Sequence, residues 1–348
     1  MDTVTRYAAV NTKIRAMEGR FLKKDDYANM IQKRSVAEVA RYLREYTSYR
    51  TFLEDVNTEK VSRRNLEEIL KRNMINNIDR LMHYYHDSYR DFIRSLYMKY
   101  EIEDLKRLAR AIANGRKEEI LREIPHLFIG KYSRVDPQRV FEAGTVRELI
   151  YSVRGSEFYD YLEPLLDGKR DNLFRFEMAL DMAYFSIIRE NWKRISAADR
   201  KVLEKWQGVV ADLYNLQWVY RGKKFYRLSP EELLNYTINF GDRLTFADRK
   251  ALCYAKSLEE LYRLTMSTGY GFLFNKEETR DIYMERRLNR YIYYRLKALK
   301  RLYRMNIIQT VAYVLFLEFE IRDIISIVES IRYNLPPDEV KKFLVRAV

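Results

Sequence analysis

Apolar positions fall at helical intervals along most of this chain, and they do so three times over. Ile102, Leu105, Leu108 and Ile112 trace one helix face, Leu213, Leu216 and Val219 a second, and Ile321, Ile324, Ile327 and Ile331 a third. Each stripe opens on an acidic-apolar motif: EIEDL at 101, DLYNL at 212 and EIRDI at 320, in steps of 111 and 108 residues. A second motif keeps the same step. SVAEVARYL at 35, TVRELIYSV at 145 and SLEELYRLT at 257 lie 110 and 112 residues apart. In each, a hydroxyl stands three residues ahead of a glutamate (Ser35/Glu38, Thr145/Glu148, Ser257/Glu260). That spacing predicts a capping box, in which hydroxyl and carboxylate satisfy two orphan amides at a helix start. Ser229/Glu232 and Ser326/Glu329 fit the spacing too, so the common register carries the point. Val36, Val146 and Leu258 align, as do Val39, Leu149 and Leu261.

The intervening segments repeat in the same order. An aromatic turn follows each capped helix, at Tyr49–Phe52, Phe158–Tyr161 and Tyr270–Phe272. Long helical patterns begin near Asn65, Leu173 and Thr279, with Leu70, Leu180 and Leu288 in register. The acidic-apolar helices are predicted to stop near Gly115, Gly222 and Asn334, where a left-handed cap suits Gly or Asn. Short helices are expected at 118–121, 231–234 and 338–341, with Pro230 and Pro337 in the first turn of the last two. Boundaries near Pro125-His126 and Asn235-Tyr236 divide the chain into copies 1–125 (with an N-terminal extension), 126–235 and 236–348. No Gly/Ser-rich or Pro-rich linker separates them, which predicts rigid packing of copy on copy. Solenoid periods run to about 50 residues, so triplication of a larger unit is the reading.

Composition supports an all-α fold. Only 11 Gly and 6 Pro interrupt 348 residues, well under average usage of about 7% and 5%. A single cysteine, Cys253, cannot close an intrachain disulfide and is read as a small packed residue. The opening MDTVTRYAAVNTKIRAMEGR has no apolar core of signal-peptide length. The most apolar stretch, 307–317, is interrupted by Gln309 and meets Glu318 and Glu320, short of the roughly 20 residues a span requires. These features are those expected of a soluble cytosolic protein. A net charge of +14 favours contact with something anionic.

Catalytic constellations are not evident. The chain has no phosphate-binding G-x-x-x-x-G-K-[ST], no G-x-S-x-G and no H-E-x-x-H, and Gly269-Tyr-Gly271 is too short for a dinucleotide fingerprint. Asp25-Asp26 lacks the third aspartate of an isoprenoid-type D-D-x-x-D. Asp79, His83 and His86 would share a face if one helix carried all three, a weak metal candidate; the third histidine is His126. No catalytic, cofactor or metal residue is assigned, and partner-binding residues stay unassigned. The strongest local signal is the basic helix 284–306. Leu288, Ile292, Leu299 and Tyr303 form its apolar stripe, and Arg290, Lys297, Arg301 and Arg304 its basic one. A core-facing helix with a solvated basic back is the favoured reading; a nucleic-acid-binding scaffold using Tyr and Arg is the alternative, and an anionic protein or lipid-headgroup surface the third choice.

The residues also carry a resemblance. YAAVNTKIRAMEGRFL at 7–22 resembles the N-terminal motif of the C subunit of archaeal- and bacterial-type V/A-ATPases, whose eukaryotic counterpart is the d subunit of the vacuolar ATPase. YEIEDLKRL at 100–108 and FRFEMALDMAYF at 174–185 are similar to two further segments of that family. The resemblance implies a funnel of three similar helical domains about a pseudo-threefold axis. It implies a non-catalytic rotor adaptor on the cytoplasmic side of the proteolipid ring, with the D and F subunits of the axle as partners and no cofactor. No nucleic-acid partner is expected on this reading, and no short motif for ring or axle contacts carries over.

Overall fold

The computed structural model describes residues 3–118, 133–167, 173–274 and 281–346. The expected helix at 118–121, the boundary at Pro125-His126, His126 itself and the helix start at Thr279 lie outside the described residues, apart from Glu118. The fold is all-α: helices, helical turns and loops make up the described residues. In chain order they are α1 (Thr3–Glu18), α2 (Lys24–Ile31), α3 (Val36–Tyr46), α4 (Arg50–Leu53), α5 (Arg63–Met82), α6 (Asp87–Ala113), α7 (Pro137–Glu142), α8 (Val146–Ser152), α9 (Tyr159–Leu162), α10 (Leu173–Lys193), α11 (Ala197–Arg221), α12 (Pro230–Asn235), α13 (Phe246–Tyr254), α14 (Leu258–Ser267), α15 (Asp281–Leu302), α16 (Ile308–Arg332) and α17 (Pro337–Phe343).

The chain forms two compact units. The first comprises residues 1–85, 197–210 and 265–348. Its core is α16, buried on nearly every side, with α5, α1, α3 and α15 against it. The buried positions of α16 are mainly apolar, as an enclosed helix requires, with Glu318, Glu320 and Asp323 the acidic exceptions. Tyr85 and Thr310 hydroxyls meet at 2.5 Å inside this core, and Arg63 pairs with Glu329 at 2.5 Å on its margin. No helix among the described residues is long and apolar enough to cross a membrane. The second unit comprises residues 86–196 and 211–264. There α6 lies along α10, and Ile102, Leu105 and Leu108 join Leu149, Val153, Phe158 and Leu180 in one core. Phe185, Tyr214, Trp218 and Phe240 close its other side through edge-to-face contacts.

Local structure repeats as closely as the sequence does. Ser35, Thr145 and Ser257 each accept the amide of the glutamate three residues on, at 3.1 Å. The reciprocal half differs from a standard capping box. Glu38, Glu148 and Glu260 accept the amides of Arg34, Gly144 and Lys256, one residue ahead of the N-cap, at 2.9, 2.7 and 2.6 Å. The same displacement occurs in all three copies. The aromatic turns share a signature as well. Tyr49, Phe158 and Tyr270 are all fully buried, and each donates its amide to a hydroxyl two residues back, on Thr47, Ser156 and Thr268.

Helix ends follow the expectation in two copies of three. Gly115 and Asn334 take positive φ, and the amides of Arg116 and Leu335 reach back five residues to Ala111 and Ser330 in the Schellman pattern. In the middle copy the helix does not stop at Gly222. It widens into a π turn over Gly222–Tyr226, and Arg227 takes the left-handed position. A Cβ at Gly222 would lie 2.3 Å from Leu233 Cδ2, so a larger residue there would displace that side chain. Pro230 and Pro337 do open α12 and α17.

Candidate functional site

The acidic-apolar motif places Glu101, Asp212 and Glu320 on α6, α11 and α16, and all three are at least 99% buried. A carboxylate so enclosed must find hydrogen-bond donors or lose its charge. Each finds backbone amides in the segment leading into a short helix. Glu101 Oε1 accepts from the Arg134 amide at 2.7 Å, two residues ahead of the α7 N-cap. Asp212 Oδ2 accepts from the amides of Asp242, Arg243 and Leu244 at 2.9, 2.7 and 3.2 Å, just ahead of α13. Glu320 Oε2 accepts from the Leu22 amide at 2.8 Å, just ahead of α2. The positive end of a helix dipole adds to the attraction.

The gripped positions, 22, 134 and 243, keep the repeat step. Each acid therefore holds the lead-in of the following sequence copy, and the acid of the third copy holds the lead-in of the first. A second position repeats the device. Asn215 exchanges two bonds with the Ile238 backbone, at 2.8 and 3.0 Å, and Asp323 accepts the amides of Val345 and Arg346 at 2.7 and 3.1 Å. The residues at the same distance beyond Asp104 lie outside the described residues.

The third copy carries the most elaborate grip. Glu320 Oε1 also accepts from the Tyr49 hydroxyl at 2.9 Å, and Oε2 from the Arg346 guanidinium at 2.8 Å; Arg346 in turn reaches the Tyr27 hydroxyl at 3.3 Å. Burial pushes Glu320 up to about 7, with Arg346 and its hydrogen bonds pulling the other way. Burial likewise pushes Asp323 up to about 6 and raises Glu101.

Other candidates resolve differently. Helix α5 ends at Met82 and α6 begins at Asp87, so Asp79, His83 and His86 are not on one helix as the candidate metal face requires. No cluster of three His, Cys, Asp or Glu side chains arranged to hold a metal occurs among the described residues. Cys253 is fully buried, and burial pushes its thiol up to about 11. Asp26 accepts from the Tyr42 hydroxyl at 2.9 Å and from the Lys23 amide. On α15, Leu288, Ile292 and Leu299 are buried as expected, whereas Tyr303 is exposed beyond the helix end. Arg290 leaves the basic stripe to bond the carbonyls of Leu344 and Val345. Lys297, Arg301 and Arg304 are exposed.

A scaffold of helices fastened by buried acids agrees with the comparisons. The ATP synthase (C/AC39) subunit family matches residues 10–343. The chain belongs to that family. Over 349 residues it is 24% identical to the C subunit of the A-type ATP synthase of Methanocaldococcus jannaschii, covering 97% of this chain and 86% of that one. With the C subunit of the Thermococcus kodakarensis enzyme it shares 25% over 347 residues, 98% and 90% of the two chains. With that of Methanosarcina mazei it shares 24% over 288 residues, 82% and 78%. The chain is thus a structural rather than a catalytic subunit of a V/A-type ATP synthase.

Proposed function

We propose that the chain is the central-stalk adaptor of its rotary complex. It connects the axle, built from the D and F subunits, to the proteolipid rotor ring on the cytoplasmic face of the membrane, and it carries torque between them. The proposed form is three kindred helical lobes, from copies 1–125, 126–235 and 236–348, arranged as a funnel about a pseudo-threefold axis. The observation that carries this reading is the interleaving of the copies. Helix α6 ends the first copy in sequence yet shares its core with α7 to α10 of the second. Asp212 and Asn215 of the second copy hold the lead-in of the third, and α16 of the third holds the first. No copy can yield without breaking the core or the buried hydrogen bonds of the next. Resistance to shear between repeats is the property a torque-bearing part needs, and close-packed interiors transmit strain efficiently.

Affinity purification of the tagged chain from detergent-solubilised membranes tests the reading. The D and F subunits and the proteolipid ring are the expected co-purifying species. Recovery of the chain with neither would end it.

A further inference from the structure

The first compact unit contains a cavity of about 490 Å³ between α1, α15 and α16, within the range of small-ligand pockets. Its wall is strongly basic. Lys297, Arg301 and Arg304 follow one another at i, i+4 and i+7 along and just beyond α15, and Arg15 faces the same cavity from α1. The two other cations of the wall are already compensated: Lys300 pairs with Glu18 at 2.7 Å and Arg346 with Glu320 at 2.8 Å. No carboxylate among the described residues forms an ion pair with Arg15, Lys297, Arg301 or Arg304. Four like charges gathered round one concavity repel one another, and a multivalent anion would relieve that repulsion.

A buried amide fixes one edge of this wall. Asn11, only 7% exposed, sits in the same wall. Its Nδ2 donates to the Arg304 carbonyl at 2.8 Å, which fixes the amide so that Oδ1 is the other face. No donor among the described residues reaches that oxygen. That oxygen is itself enclosed, out of reach from the cavity, so Asn11 serves the wall by holding the Arg304 backbone. Phe21 and Phe316 add apolar surface to the wall.

We propose that this cavity binds a small polyphosphorylated molecule. The four cations take the phosphate groups, two of which carry about −3 to −4 between them when terminal. A soluble nucleotide and a phosphorylated lipid headgroup share this chemistry, and the experiment separates them.

The purified chain is titrated at low ionic strength with ATP, with inorganic tripolyphosphate, and with vesicles of phosphatidylcholine containing phosphatidylinositol 4,5-bisphosphate. Heat of binding or sedimentation is the readout. Saturable binding to ATP without vesicle binding assigns a soluble ligand; binding to the vesicles alone assigns a headgroup. In either case the Arg301→Ala/Arg304→Ala double variant is expected to weaken binding at least tenfold. Arg15→Ala, on the α1 side of the cavity, should weaken ATP and tripolyphosphate alike several-fold. These arginines are exposed, so the double variant keeps the helical signal of the parent. Absence of binding to all three probes overturns the proposal. So does binding that the double variant leaves intact, or that Arg90→Ala, on the other compact unit, weakens equally.

Discussion

Replacing Glu320 tests the staple that joins the two ends of the chain. In Glu320→Ala, the Leu22 amide, the Tyr49 hydroxyl and the Arg346 guanidinium lose an acceptor together. The first two are buried, and each unmade bond costs about 1–3 kcal/mol. Breaking one side of a buried ion pair costs about 3–5 kcal/mol, and the relief of the carboxylate's own burial offsets part of the total, so a loss of about 3–5 kcal/mol is expected. Glu320→Gln keeps an acceptor in place and should cost less than about 2 kcal/mol. The pH dependence separates the two effects. Burial raises Glu320 from an ordinary 4.5 to about 7, so between those values the folded chain holds a proton that the unfolded chain releases. Stability therefore falls as pH rises through that window and is level above it. At about 1.4 kcal/mol for each pH unit between the two values, the full fall is about 3 kcal/mol. Asp323, raised to about 6, contributes a fall of the same sign at lower pH. Urea denaturation at pH 5 and pH 8, followed by circular dichroism, reads both numbers. Glu320→Gln should flatten the slope, and amide exchange at Leu22 should accelerate in Glu320→Ala. An alanine variant within about 1 kcal/mol of the parent, or a glutamine variant with the full pH slope, would refute the reasoning.

Three further outcomes follow from the same contacts. Gly241→Ala would place a Cβ 1.9 Å from Asp212 Oδ1, whose partner oxygen holds three amides, and thermal unfolding should show a loss of several kcal/mol. Ser35→Ala, Thr145→Ala and Ser257→Ala should each cost about 1 kcal/mol, by similar amounts because the three caps share one geometry. Cys253, buried and raised to about 11, should resist Ellman's reagent at pH 8 in the folded chain and react at once in denaturant.

Features made by neighbours in sequence are legible without the structure. The three caps, the aromatic turns and the prolines opening α12 and α17 each depend on residues within four places of one another, so spacing reveals them. What escapes depends on distance along the chain. Glu101, Asp212 and Glu320 stand out as a motif, but their partners are backbone amides 30 or more residues away, and an amide has no letter in the sequence. Arg15 gives no sign of facing Arg301, since α1 and α15 meet only through the fold. Gly222 misleads because a glycine lying close to Leu233 reads the same in sequence as one at positive φ. His83 and His86 look like helix neighbours because nothing in their immediate surroundings marks the break after Met82.

The claim that this chain couples rotation to ion movement is tested most directly by reconstituting the complex in vesicles with and without it. With the chain present, ATP should drive ion uptake. With the chain left out, ATP hydrolysis by the catalytic head should continue while uptake falls to background. Ion uptake that persists without the chain would contradict the account, as would loss of hydrolysis from the head alone.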